Sequence, residues 1–129
     1  MTVLDASLLI DATVGLPAGR PWTGYLSRQR LAAPDCVVAE FGRYLRRHMI
    51  AGELADTDAD AAIRAFAALR VVLYPIRPLL DAALALRASF TFDDALYVTL
   101  ARALAVPLAS TDKRLNRAAA ALGLTIAQP

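Results

Sequence analysis

Residues 1–11 read MTVLDASLLID, and this stretch sets the register for the whole chain. Val3 and Leu4 make a short apolar strand, Asp5 follows at once, and residues 7–15, SLLIDATVG, continue as a helix. Working outward, the same alternation recurs. Residues 23–30 read as a helix, and Leu31, Ala32 and Ala33 as a short strand stopped by Pro34. Over residues 36–50 the apolar positions Val37, Phe41, Tyr44, Leu45 and Met49 follow a helical stripe, ended by Gly52. Residues 57–69 form the next helix, with Thr57 as its N-cap. Residues 71–74, VVLY, form a buried strand closed by Pro75, and residues 78–88 a helix with proline in its first turn. Residues 93–105 are helical and apolar nearly all round, which places them inside the fold. Residues 107–109 are a strand, 112–122 a helix and 124–126 a last strand.

Short apolar strands alternating with helices make an α/β fold whose mostly parallel sheet is covered on both faces. In such folds a ligand sits beyond the carboxyl ends of the strands, where the strand order reverses. Asp5 follows the first strand, Asp112 follows the strand at 107–109, and Asp94 opens the buried helix. All three belong to that side of the sheet.

Composition narrows the chemistry. A chain of 129 residues with 57% hydrophobic residues and a mean hydropathy of +0.44 has the size and apolar content of one folded domain, residues 1–129. No apolar run reaches the ~18 residues that span a bilayer. The first strand follows Met1 directly, leaving no room for a signal peptide, so a soluble cytoplasmic protein is expected. One cysteine, Cys36, permits no internal disulfide, and with His48 as the single histidine a zinc site of His/Cys type is disfavoured. A net charge of +2 and a pI near 9.0 permit nucleic acid without demanding it. Of the 14 basic residues only Lys113 is lysine. Arginine suits bidentate phosphate contacts, although such a bias also follows from an alanine-rich, GC-rich coding style.

Each acid has an ordinary explanation. Asp5 can cap the helix after it, Thr91 and Asp94 fit a capping box, and Asp112 suits a helix start. Glu40, one of only two glutamates, lies on or beside the buried stripe, and its ordinary role is pairing with Arg43 or Arg47. Capping gives no reason for four carboxylates to converge, and like charges held close destabilise each other. A divalent cation removes that conflict. Oxygen ligands without His or Cys select a hard ion, Mg²⁺ or Mn²⁺, and Mg²⁺ commonly bridges to phosphate. The chemistry implied is phosphodiester hydrolysis by a metal-activated water.

The segments LDASLLID, AEF, TFDDALYVTLA and STDKRL, in this order and spacing, resemble PIN domains, specifically the VapC-type toxins of bacterial toxin–antitoxin pairs. The resemblance covers essentially the whole chain. It implies a three-layer α/β/α sandwich and a Mg²⁺-dependent endoribonuclease in which Asp5, Glu40, Asp94 and Asp112 form a catalytic, metal-holding site with one ion or two. It also implies a small antitoxin whose flexible segment wraps the toxin; because an acidic pocket that takes Mg²⁺ attracts any cation, this segment is expected to set an Arg or Lys among the four acids, and the 57% apolar content together with the resemblance points to a homodimer. The position before Asp94 is commonly Tyr in the family and is Asp93 here. Asp93, Ser7 and Thr111 stand beside the acids as candidates to hold water or support the ligands, and the two hydroxyls serve equally as helix-start residues. Other readings are a DNA nuclease of the same fold, a non-catalytic PIN-like RNA-binding module, and a phosphoacceptor receiver domain. The short chain lacks room for the arches of a flap nuclease, and no acid is missing. A receiver needs an acidic pair at the first strand, and Asp5 is followed by Ala6.

Overall fold

A computed structural model describes residues 1–129. Four strands, β1 (Thr2–Leu4), β2 (Leu31–Pro34), β3 (Val71–Tyr74) and β4 (Leu108–Ala109), form one sheet in the order β3-β2-β1-β4. Every pairing is parallel, with Val3 opposite Ala32 on one side and Leu108 on the other. The chain winds outward from β1 through β2 to β3, then returns to the opposite side of β1 for β4. The order therefore reverses between β1 and β4, and Asp5 lies just past the carboxyl end of β1 at that seam.

The helices are α1 (Ala6–Val14), α2 (Thr23–Arg28), α3 (Cys36–Ile50), α4 (Asp56–Ala68), α5 (Leu80–Ala85), α6 (Phe92–Leu104) and α7 (Lys113–Ala121). α6 packs on β1, β2 and β4 and carries α5 on its outer side. Its residues 95–101 are buried without interruption, as its all-round apolar sequence requires. α1 packs against α3 and α4. α3 sends Val37, Phe41 and Leu45 of the stripe into the core, one turn apart, while Tyr44 is half-buried and Met49 is exposed. The result is a three-layer α/β/α arrangement around one hydrophobic core. No helix is long and apolar enough to cross a membrane.

Several local expectations are corrected. Thr57 is not an N-cap: α4 begins at Asp56 after Ala55, and no side chain bonds its first turn. Strand β3 is the sheet edge, and Val72 and Leu73 are exposed, so VVLY is not a buried strand. The helix expected over 78–88 is a 3₁₀ turn at Arg77–Leu79 followed by the short α5. Residues 124–126 make only one parallel bridge, Leu108 to Ile126, and no strand. Pro34 is the last residue of β2 rather than a stop before it, paired with Tyr74.

Gly19 has an ordinary φ of −84°, yet it allows no side chain. A Cβ there would lie 2.2 Å from the carbonyl carbon of Asp11 and 2.3 Å from the nitrogen of Ala12. The loop after α1 can return against that helix only because this position is bare. Gly19→Ala should lower stability by about 3 kcal/mol. Gly42→Ala, within α3 and with open space around it, should raise stability by about 0.5–1 kcal/mol. Urea unfolding followed by the fluorescence of buried Trp22 measures both.

Candidate active site

The site grows from the end of β1. Asp5 is buried and caps α1, accepting the Ser7 N–H at 3.3 Å. Its Oδ2 also accepts the Ser7 hydroxyl at 2.5 Å and the Ser110 hydroxyl, from just past β4, at 2.7 Å. Ser110 is fixed in turn: its Oγ accepts the Asp112 N–H at 3.0 Å, and its carbonyl accepts the Asn116 amide at 2.9 Å. Thr111 donates to Ser7 Oγ at 3.1 Å. All the donors to Asp5 converge on one oxygen. Oδ1 accepts no hydrogen bond and keeps contact with solvent.

Glu40 repeats the pattern from α3. Its Oε1 accepts the Tyr97 hydroxyl of α6 at 2.8 Å and faces the Cys36 thiol at 3.6 Å. Oε2 accepts nothing and is solvent-accessible. The pairing with Arg43 or Arg47 open to it in the sequence does not form. Asp94 stands at the start of α6, where its N–H donates to the N-cap Thr91 at 3.3 Å. Its carboxylate does not reach back to complete the box, and its Oδ2 accepts Arg114 Nη2 at 2.6 Å. Asp112 uses Oδ1 to cap α7, accepting the N–H groups of Arg114 and Leu115.

Burial and mutual repulsion act together here. Burial, with the charge of Asp94 added to it, holds the Asp5 carboxyl above the ordinary range, against the lowering effect of Ser7 and Ser110. Glu40 is raised by burial and then by Asp93 and Asp5, while Tyr97 opposes the shift. Burial and Glu40 push the Cys36 thiol up to about 12, so this thiol stays protonated and unreactive. Tyr97 is driven up by burial and the same carboxylates, which keeps its hydroxyl a donor.

Asp5, Glu40, Asp93 and Asp94 thus share one electrostatic neighbourhood, and Asp112 joins its margin through Ser110 and Arg114. The carboxylates are looser than a closed cage: no three acidic, histidine or cysteine side chains close around one point. All-oxygen donors, with an oxygen free of hydrogen bonds on Asp5 and on Glu40, are the donor chemistry of a hard ion. Beside the acids a cleft of about 680 Å³ runs along α3, with Ser7, Glu40 and Asp93 at its walls and Arg43, Arg46 and Arg47 along it. None of these three arginines is ion-paired.

The PIN domain family matches residues 2–121. The chain belongs to the PIN-domain family. Among its relatives, Ribonuclease VapC1 of Mycobacterium tuberculosis is 41% identical over 124 residues, 95% of this chain and 91% of that protein. Ribonuclease VapC12 of the same organism is 31% identical over 115 residues, 89% of each chain. The crystal structure of PAE2754 from Pyrobaculum aerophilum shares the fold, with a TM-score of 0.67 at 22% identity over 91% of this chain and 78% of that one.

In this PIN domain three residues joined to the acids escaped the sequence reading: Ser110, Tyr97 and Arg114. Tyr97 alone carried a signal, since it follows Asp94 by three positions and so shares its side of α6. His48, by contrast, stacks on Tyr44 and pairs with Glu53 at 2.6 Å, away from the acids.

Because Asp5 and Glu40 titrate above their ordinary range, the folded metal-free protein binds more protons than the unfolded chain in the interval between the ordinary and raised values. Their contribution to stability is greatest below the ordinary carboxylate range and is lost as pH rises through the raised values. Asn at position 5 keeps an oxygen for the cap and removes the buried charge. Asp5→Asn should therefore melt above wild type near pH 7 in EDTA, with the gap closing toward about pH 4. Circular dichroism melts across that range measure it.

Proposed function

We propose that the protein is a Mg²⁺-dependent endoribonuclease and the toxin of a toxin–antitoxin pair, with Mn²⁺ as a working substitute. The observation that carries this reading is one cleft holding Glu40, with an oxygen free of hydrogen bonds, Asp93 and three unpaired arginines of α3, with buried Asp5 in the same electrostatic neighbourhood. A polyanion fits the arginines, and the acidic end fits the cation that a phosphodiester needs. The names of the VapC relatives support RNA as the polyanion.

Asp5, Glu40 and Asp94 would hold the ion, with Asp112 completing the pocket. The ion supplies activation of water at neutral pH and relief of charge on the phosphoryl oxygens. The protein's own part is to prepare the ligands. Ser7 and Ser110 hold Asp5 by one oxygen and leave the other unbonded, and Tyr97 does the same for Glu40. Thr111 supports Ser7, and Asp93 adds negative charge beside Glu40. Arg43, Arg46 and Arg47 seat RNA phosphates along the cleft.

An acidic well of this kind also attracts a cationic side chain, which supports inhibition by an antitoxin segment carrying Arg or Lys. Exposed apolar residues, among them Val72 and Leu73 on the sheet edge and Leu80 and Leu84 on α5, support self-association into a homodimer.

Asp94→Asn should abolish cleavage of single-stranded RNA and remove the rise in melting temperature that Mg²⁺ gives wild type. Retention of both would overturn the acidic-site reading. Glu40→Gln should lose activity while Glu53→Gln, on the far side of His48, retains it. Tyr97→Phe should cut kcat/KM by about 10- to 100-fold with little change in fold, the range seen when a ligand loses its supporting bond.

A further inference from the structure

Arg114 is the one basic residue among the 13 arginines and single lysine that is ion-paired with an acid. Its pairing is aimed at the site. Nη2 lies 2.6 Å from Asp94 Oδ2 and 3.9 Å from Asp112 Oδ2, so a single guanidinium bridges carboxylates from two elements. The backbone fixes the reach: the Arg114 N–H donates to Asp112 Oδ1 at 2.8 Å in the first turn of α7. Neighbouring Lys113, one residue closer to Asp112, pairs with nothing. The carboxylate of Asp94 has also forgone the second half of its capping box, and its only hydrogen bond goes to this arginine.

We infer that Arg114 is a resident counter-ion of the acidic site, occupying the Asp94 carboxylate in the metal-free protein and giving it up to the divalent cation. The inference rests on the reading of Asp5, Glu40 and Asp94 as metal-holding. With no metal, the positive charge offsets repulsion that Asp94 would otherwise exert on buried Asp5. With metal, two cations compete for one carboxylate, and the divalent ion with its larger charge takes it. The side chain is 56% exposed, so it can leave without opening the core. Arg114 therefore sets the concentration at which metal enters: part of the negative charge stays offset when the site is empty, and metal affinity is lower than the carboxylates alone would give.

The test is Mn²⁺ binding measured by calorimetry or by the paramagnetic resonance of free Mn²⁺, in wild type, Arg114→Ala, Lys113→Ala and Asp94→Asn, without RNA. Arg114→Ala should bind Mn²⁺ roughly three- to tenfold more tightly and melt at a lower temperature than wild type in EDTA. Lys113→Ala removes the same charge next door without removing the contact, and should change affinity less than about twofold. Equal or weaker binding by Arg114→Ala, or equal tightening by Lys113→Ala, overturns the counter-ion while wild-type binding that Asp94→Asn destroys leaves the metal site standing. Absence of Mn²⁺ binding from wild type and Arg114→Ala alike overturns both. Binding by Arg114→Ala alone supports the inference in its strongest form.

Discussion

The arrangement depends on one carboxylate held almost out of water. Asp5 lies just past β1, an inner strand of a parallel sheet, and its N–H still donates to Ala109 of β4 at 3.0 Å. Burying its charge is costly. The cost is offset by donors from both sides of the seam, Ser7 from the start of α1 and Ser110 from the end of β4. Because those donors crowd onto one oxygen, the other is left without a hydrogen bond. The same residues close the fold, since Asp5 starts α1 and Ser110 receives the Asp112 N–H that precedes α7. Stability at this seam and readiness of the site are therefore one structure with opposing demands.

Helix α3 carries the second half of the design. Val37, Phe41 and Leu45 fix its buried side, and this fixes the direction of every other residue on it. Glu40 then falls at the boundary of the core, close enough to take the Tyr97 hydroxyl, while Arg43, Arg46 and Arg47 fall along the open cleft. A helical repeat thus converts a run of sequence into an acidic end and a basic track on one element. Glu40 is not neutralised on its own helix: its partners are the Tyr97 hydroxyl of α6 and the Cys36 thiol, and no arginine of α3.

Much of this was legible in the sequence, for definite reasons. The strands at β1 and β4 are short apolar runs followed within three residues by an acid, and α3 declares itself through its stripe. The α/β class and the placing of Asp5, Asp94 and Asp112 at strand or helix starts follow from those patterns. Edge position does not: VVLY is as apolar as a central strand, and only the winding order makes β3 an edge. Thr57 has the chemistry of a cap, but the chain turns helical one residue earlier. The partners of the acids were hidden for another reason. Ser110 meets Asp5 across 105 positions, Tyr97 meets Glu40 across 57, and Arg114 meets Asp94 across 20. A hydroxyl or guanidinium acquires such a role only when topology delivers it, and apart from the spacing of Tyr97 after Asp94 nothing in the local sequence records the delivery.

The preference for arginine has a practical corollary at α7. Lys113, the sole lysine, is exposed and directly follows Asp112 at the mouth of the site. Apart from the chain terminus, it is the only primary amine the protein offers. An acylating or reductively alkylating reagent therefore finds one side chain to label, and that side chain is next to Asp112. A fluorophore or spin label placed this way would sense what enters the well while leaving the arginines of the cleft chemically untouched.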